Sequence, residues 1–127
     1  MPDEPPPRDL LREGIRLFNE GYFFEAHEVW EDAWREETGE PKRFLQGLIQ
    51  VAAGFHHRST GNVNGTAALF RKARAKFKGY PCPYLGIDEV DLLRQVDEAE
   101  RLLSEQASIR EEEAPRPRIV LADERYR

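Results

Sequence analysis

Residues 41–60 read PKRFLQGLIQVAAGFHHRST, and this stretch decides the fold. Pro41 suits the first turn of a helix, where its missing N–H is no loss. Beyond it Phe44, Leu45, Leu48, Ile49, Val51, Ala52, Ala53 and Phe55 put apolar groups on nearly every side of a helical wheel. A helix of that kind lies at the centre of a domain. Gln46, Gln50 and His57 interrupt it as a polar stripe at spacings of four and seven. Buried amides and imidazoles need partners, so the stripe is expected to face other polar groups.

Helices flank this centre on both sides. Upstream, a helix from about Tyr22 to Glu37 gathers Phe23, Ala26, Trp30, Ala33 and Trp34 on one face, with Glu25, Glu28, Asp32, Arg35 and Glu36 opposite. His27 falls within the apolar face and Glu31 at its edge. Before it, Asp9 caps a helix running to about Asn19, with Leu11, Ile15 and Phe18 inward, and Asn19-Glu20-Gly21 forms the turn. Downstream, Gly61-Asn62 turns into a fourth helix that ends near Phe77 with Phe70, Ala73 and Phe77 inward. An irregular loop at 79–86 follows. Asp88 then caps a fifth helix with the inner stripe Leu92, Val96, Ala99 and Leu103. The expected fold is all-α, a bundle of about five helices arranged as two helical hairpins plus a C-terminal helix.

The domain is expected over residues 9–107. A flexible Pro-rich N-terminus precedes it at 1–8, and a charged tail or extended arm follows at 108–127, with Arg118-Ile119-Val120-Leu121 suited to packing as an arm. A weak internal echo appears at an offset of forty residues: Gly21, Val29, Trp30 and Ala33 recur as Gly61, Leu69, Phe70 and Ala73. It resembles the tetratricopeptide pattern, though two copies make no solenoid.

The 127-residue chain is 39% hydrophobic and 34% charged, which fits one folded domain with solvated helix faces. Its net charge of −5 disfavours a general nucleic-acid-binding role, so no nucleic-acid partner is expected. Cys82 is the single cysteine, which rules out an internal disulfide and a cysteine-based zinc cluster. The opening residues have neither a basic n-region nor an apolar h-region, and no stretch is long enough to span a membrane, so a cytoplasmic location without a membrane partner is expected. A homo-oligomer is compatible with an exposed apolar helix face.

Two blocks carry a family resemblance. The first is His27-Glu28-Val29-Trp30-Glu31-Asp32-Ala33-Trp34, an HxxxExxW pattern preceded by Phe18 to Ala26. The second is Gly47-Leu48-Ile49-Gln50 running through His57 to Gly61-Asn62. From about Leu10 to Leu103 the chain resembles domain-of-unknown-function family 309, small all-α proteins of bacteria and archaea. The resemblance implies an all-α bundle and a suggested metal-binding motif. His27, Glu31 and Trp34 take the motif positions and His57 that of the second-block histidine.

The cluster admits more than one reading. Residues four apart on a helix share a face, so His27 and Glu31 can converge on one point, with His57 approaching from the next helix. Two imidazoles and a carboxylate would suit zinc, iron, manganese or nickel with an open position. The function expected from this is a buried metal site at His27, Glu31 and His57, the site of a metal-dependent hydrolase. Glu31 and His27 would be its catalytic pair, supported by Trp34, Gln46 and Gln50. The alternative is a buried His/Glu/Gln hydrogen-bond network that fixes helix packing inside a helical protein-interaction module, for which the loop aromatics Tyr80 and Tyr84 offer contact groups. The partner is then an unknown small molecule or protein.

Overall fold

The computed structural model describes residues 8–105 and 111–122. It contains α1 (Leu10–Asn19), α2 (Phe23–Glu36), α3 (Pro41–Ser59), α4 (Val63–Phe77) and α5 (Glu89–Glu105), followed by one 3-10 turn at Glu111–Glu113. The fold is all-α, a bundle of packed helices. No helix among the described residues is long and apolar enough to cross a membrane. The Pro-rich stretch 1–7 and the expected boundary at 107/108 lie outside the described residues.

Local chemistry sets the helix ends. The Asp9 carboxylate accepts from Arg12 N at 3.1 Å, Asn62 Oδ1 from Gly65 N at 2.9 Å, and Asp88 from Asp91 N at 2.9 Å. Each satisfies a backbone N–H that the first helical turn leaves unpaired. Gly21 and Gly61 take φ of +87° and +80° at the two hairpin turns, a conformation that strains residues with a Cβ.

α3 is central, as its composition demands. It buries Phe44, Leu45, Gly47, Leu48, Val51, Ala52, Gly54 and Phe55, and it packs against both α2 and α4. A line of rings crosses the hairpins: Phe18 to Phe23 at 5.3 Å, Phe23 to Phe55 at 5.4 Å, and Phe55 to Phe70 at 5.0 Å between centroids. Each buried ring contributes roughly 1.5–3 kcal/mol of transfer free energy.

The forty-residue echo has a physical counterpart. Trp30 and Phe70, its paired positions, are both fully buried. Each lies against a glycine of the preceding helix. A Cβ on Gly14 would sit 2.1 Å from Trp30 Nε1, and one on Gly54 would sit 2.5 Å from the Phe70 ring. The two hairpins thus share one lock, a large ring seated where the facing helix has no side chain.

The loop after α4 folds inward. Tyr80 and Tyr84 pack on Phe44 at 5.2 and 4.9 Å and on each other at 4.6 Å, so both half-buried rings extend the edge of the core. Beyond the 3-10 turn, an extended arm lies against α1 and α5. Pro117, Ile119 and Leu121 are buried while Arg116 and Arg118 face out. Two side-chain amides clamp the arm as neighbouring strands would. Asn19 donates to Ile119 O at 2.8 Å and accepts from Ile119 N at 2.7 Å. Gln95 does the same with Arg118, at 2.8 Å in both directions.

Candidate functional site

His27 and Glu31 lie one turn apart on α2, at the edge of its buried face. The His27 imidazole Nε2 is 2.7 Å from Glu31 Oε1. Their side chains are 24% and 34% exposed, so the pair is half-buried and open to solvent on one side, where a buried site was expected. Glu31 Oε2 accepts from Arg35 at 3.2 Å, and Arg35 also holds Asp32 at 2.8 Å. Both oxygens of Glu31 are therefore engaged. Phe24 stacks on His27 with centroids 5.9 Å apart and meets His56 at 5.3 Å.

The pairing with Glu31 fixes what the imidazole offers. A nitrogen facing a carboxylate carries the proton, so a neutral His27 keeps its lone pair on Nδ1. That atom is buried and has no hydrogen-bond partner among the described residues, and the same is true of Gln50 Oε1. Two contacts set the antiparallel register between them: Lys42 Nζ lies 4.2 Å over the Trp34 ring, and Phe24 meets His56. Counting seven residues back from Trp34 and seven on from Lys42 sets His27 beside residue 49. Counting three on from Phe24 and three back from His56 sets it beside residue 53. Gln50 is the polar residue within this span of α3. Gln46 lies one turn away on the same stripe, half-buried.

His57 is placed elsewhere. Its Nδ1 is 3.0 Å from Asn62 Nδ2, and its carbonyl accepts from Asn62 N at 2.8 Å, so it belongs to the turn that starts α4. Among the described residues no group of three His, Cys, Asp or Glu is placed to hold a metal ion. The expected constellation of His27, Glu31 and His57 is accordingly not assembled: Arg35 and His27 occupy Glu31, and Asn62 occupies His57. Trp34 is half-buried under Lys42 and pins the α2–α3 corner. The expectation that the α3 stripe finds polar partners fails at Gln50. Sequence reasoning missed Phe24 and Arg35, although Phe24 stands three residues before His27 and Arg35 four after Glu31, spacings that place them alongside.

Comparison with known proteins bears on the same segment. A family model described as a domain of unknown function, DUF309, matches residues 11–69, which include His27, Glu31, Trp34, Gln46, Gln50 and His57. An uncharacterised protein of Aquifex aeolicus (strain VF5) is 29% identical over 91 residues, which are 71% of this chain and 27% of that protein. The chain thus spans about a quarter of that relative's length. The crystal structure of a conserved hypothetical protein from Thermus thermophilus is 39% identical with a TM-score of 0.62, covering 68% of this chain and 90% of the other.

Proposed function

We propose that this chain, which belongs to the DUF309 family of domains of unknown function, is a helical binding domain whose recognition site is the α2–α3 seam at His27. One observation carries the reading: among the described residues, the buried atoms His27 Nδ1 and Gln50 Oε1 have no hydrogen-bond partner. Leaving a buried polar atom unpaired costs about 1–3 kcal/mol, and a native fold retains such a cost where something else repays it. The complementary group is a hydrogen-bond donor, such as the amide or ammonium of a ligand. Glu31 holds the imidazole in the accepting tautomer. Phe24 and Tyr22, 46% and 54% exposed, supply apolar contact beside it.

A second reading is favoured by the His27–Glu31 geometry itself. A carboxylate on the far nitrogen of an imidazole is the usual outer support of a metal-bound histidine. In that case His27 Nδ1 ligates a divalent metal and Glu31 orients the ring instead of ligating. The metal would supply Lewis acidity for a hydrolytic reaction.

The test is NMR on protein labelled at histidine and glutamine, together with its elemental analysis. A fragment screen with small amines and amides should move the His27 and Gln50 signals, and His27→Ala and Gln50→Leu should abolish the response. Near-stoichiometric zinc, iron, manganese or nickel that disappears in His27→Ala would replace the first reading with the second. A through-bond coupling between a Gln50 amide proton and His27 Nδ1 would close the seam on itself and defeat both.

A further inference from the structure

The docked arm creates a second feature, independent of the α2–α3 seam. α1 presents Arg12 and Arg16 one turn apart, and the extended arm presents Arg116 and Arg118 two residues apart. Both spacings put side chains on one side of their element. The four line one open groove of about 400 Å³ together with Ile15, Asn19, Glu20 and Leu121. Among the described residues, four guanidinium groups thus line the groove with one carboxylate, that of Glu20, in a chain whose net charge is −5.

The groove is built, not a chance gathering of long side chains. Pro117, Ile119 and Leu121 are buried, which forces the alternate residues Arg116 and Arg118 outward. Arg116 crosses the α1–α2 turn, where a Cβ on Gly21 would meet its Cδ at 3.2 Å, and donates to Glu20 O at 3.3 Å at the negative end of α1. Arg12 and Arg16 are paired with Asp9 and Glu20, beside their own helix, at 3.3 and 3.1 Å. Such exposed pairs are weak and exchange readily for a better anion. Among the described residues no carboxylate pairs with the Arg116 or Arg118 side chain. Rigid guanidinium forks match the oxygens of phosphate in pairs, and several on two elements favour an anion with more than one charged group.

We infer that the groove between α1 and the C-terminal arm, lined by Arg12, Arg16, Arg116 and Arg118, binds the polyphosphate group of a small molecule. Its size suits a chain of phosphoryl groups and not a nucleic-acid duplex.

The experiment titrates the intact protein with inorganic triphosphate in low salt, following backbone amides by NMR. Saturable shifts confined to α1 and residues 114–122 are expected. Arg16→Gln and Arg118→Gln should each weaken binding roughly tenfold, and the double variant about a hundredfold, since a charge-assisted contact is worth about one decade or more. Neither side chain holds the arm, so the Asn19–Ile119 amide signals should stay in place in both variants. Three results would overturn the inference: no saturation, equal displacement by sulfate at matched ionic strength, or unchanged affinity in the double variant. Binding of an oligoglutamate peptide in preference to triphosphate would likewise reject phosphate as the ligand class.

Discussion

Substituting Gly14 by alanine tests the hairpin lock most directly. The added Cβ would lie 2.1 Å from Trp30 Nε1, 2.4 Å from Cδ1 and 2.6 Å from Cε2. Ordinary carbon contacts begin near 3.5 Å, so the indole must retreat by about 1.4 Å. It has little room, being fully buried and 5.8 Å from Phe18, with its N–H donating to Leu11 O at 3.1 Å. Overpacking costs about 1–3 kcal/mol, and a stretched or lost bond at the buried N–H adds about 1–3. The better helix propensity of alanine returns about 1 kcal/mol. The net loss is about 3 kcal/mol, or a fall of roughly 12 °C in melting temperature for a domain of this size. Thermal and urea unfolding followed by circular dichroism would measure it. A Trp30→Leu background should shrink the loss by at least about 1.5 kcal/mol, because the clash is then gone. An unchanged or raised melting temperature in Gly14→Ala would refute the lock, and so would an equal loss in both backgrounds.

Two further outcomes follow from other parts of the fold. Asn19→Ala should free the arm, because both its bonds to Ile119 are lost. The expected cost is about 1–3 kcal/mol, with faster proteolysis within residues 114–122 and unchanged helix content; an arm cleaved at the wild-type rate would contradict the clamp. Glu89 is buried at the start of α5, and burial, then the neighbouring Asp88 charge, pushes its carboxyl above the ordinary 4.5. A raised folded-state value favours the protonated form, so that contribution is whole below the unfolded value and is lost as pH rises through the folded one. The stability of Glu89→Gln relative to wild type should therefore grow between about pH 4 and pH 7 in urea titrations. A constant difference would show that the carboxyl does not titrate across the transition.

The features legible in the sequence are those decided within a turn or two of chain. Asp9 and Asp88 cap the helices they precede because a cap needs only the next three residues, and Gly61-Asn62 marks its turn by residue type alone. The apolar circumference of α3 places it at the centre whatever the neighbours do. The His27–Glu31 pair was legible because four residues on a helix is a fixed distance. What the periodicity could not convey is who else competes for each atom. Arg35 occupies the second oxygen of Glu31, and Asn62 draws His57 into the next turn, so a plausible set of three ligands becomes one pair and one cap. The unpaired Gln50 oxygen depends on the register of α2 against α3, which no local rule supplies. The same holds for Tyr80 and Tyr84, whose irregular Pro-rich loop carries no periodicity to show that they pack on Phe44.

The arm also dates the completion of the fold. Asn19 is synthesised 100 residues before Ile119, the backbone it must clamp. At translation rates of about 5–20 residues per second, that separates the two by roughly 5–20 s. Hairpins α1–α2 and α3–α4 close through local contacts and form far faster than this. Between the completion of α4 at Phe77 and the arrival of Ile119, the nascent chain therefore holds both hairpins with the apolar seam beside Ile15 uncovered. The arrival of Ile119 and Leu121 then covers it, which makes the arm the step that a holding chaperone or a competing chain would intercept.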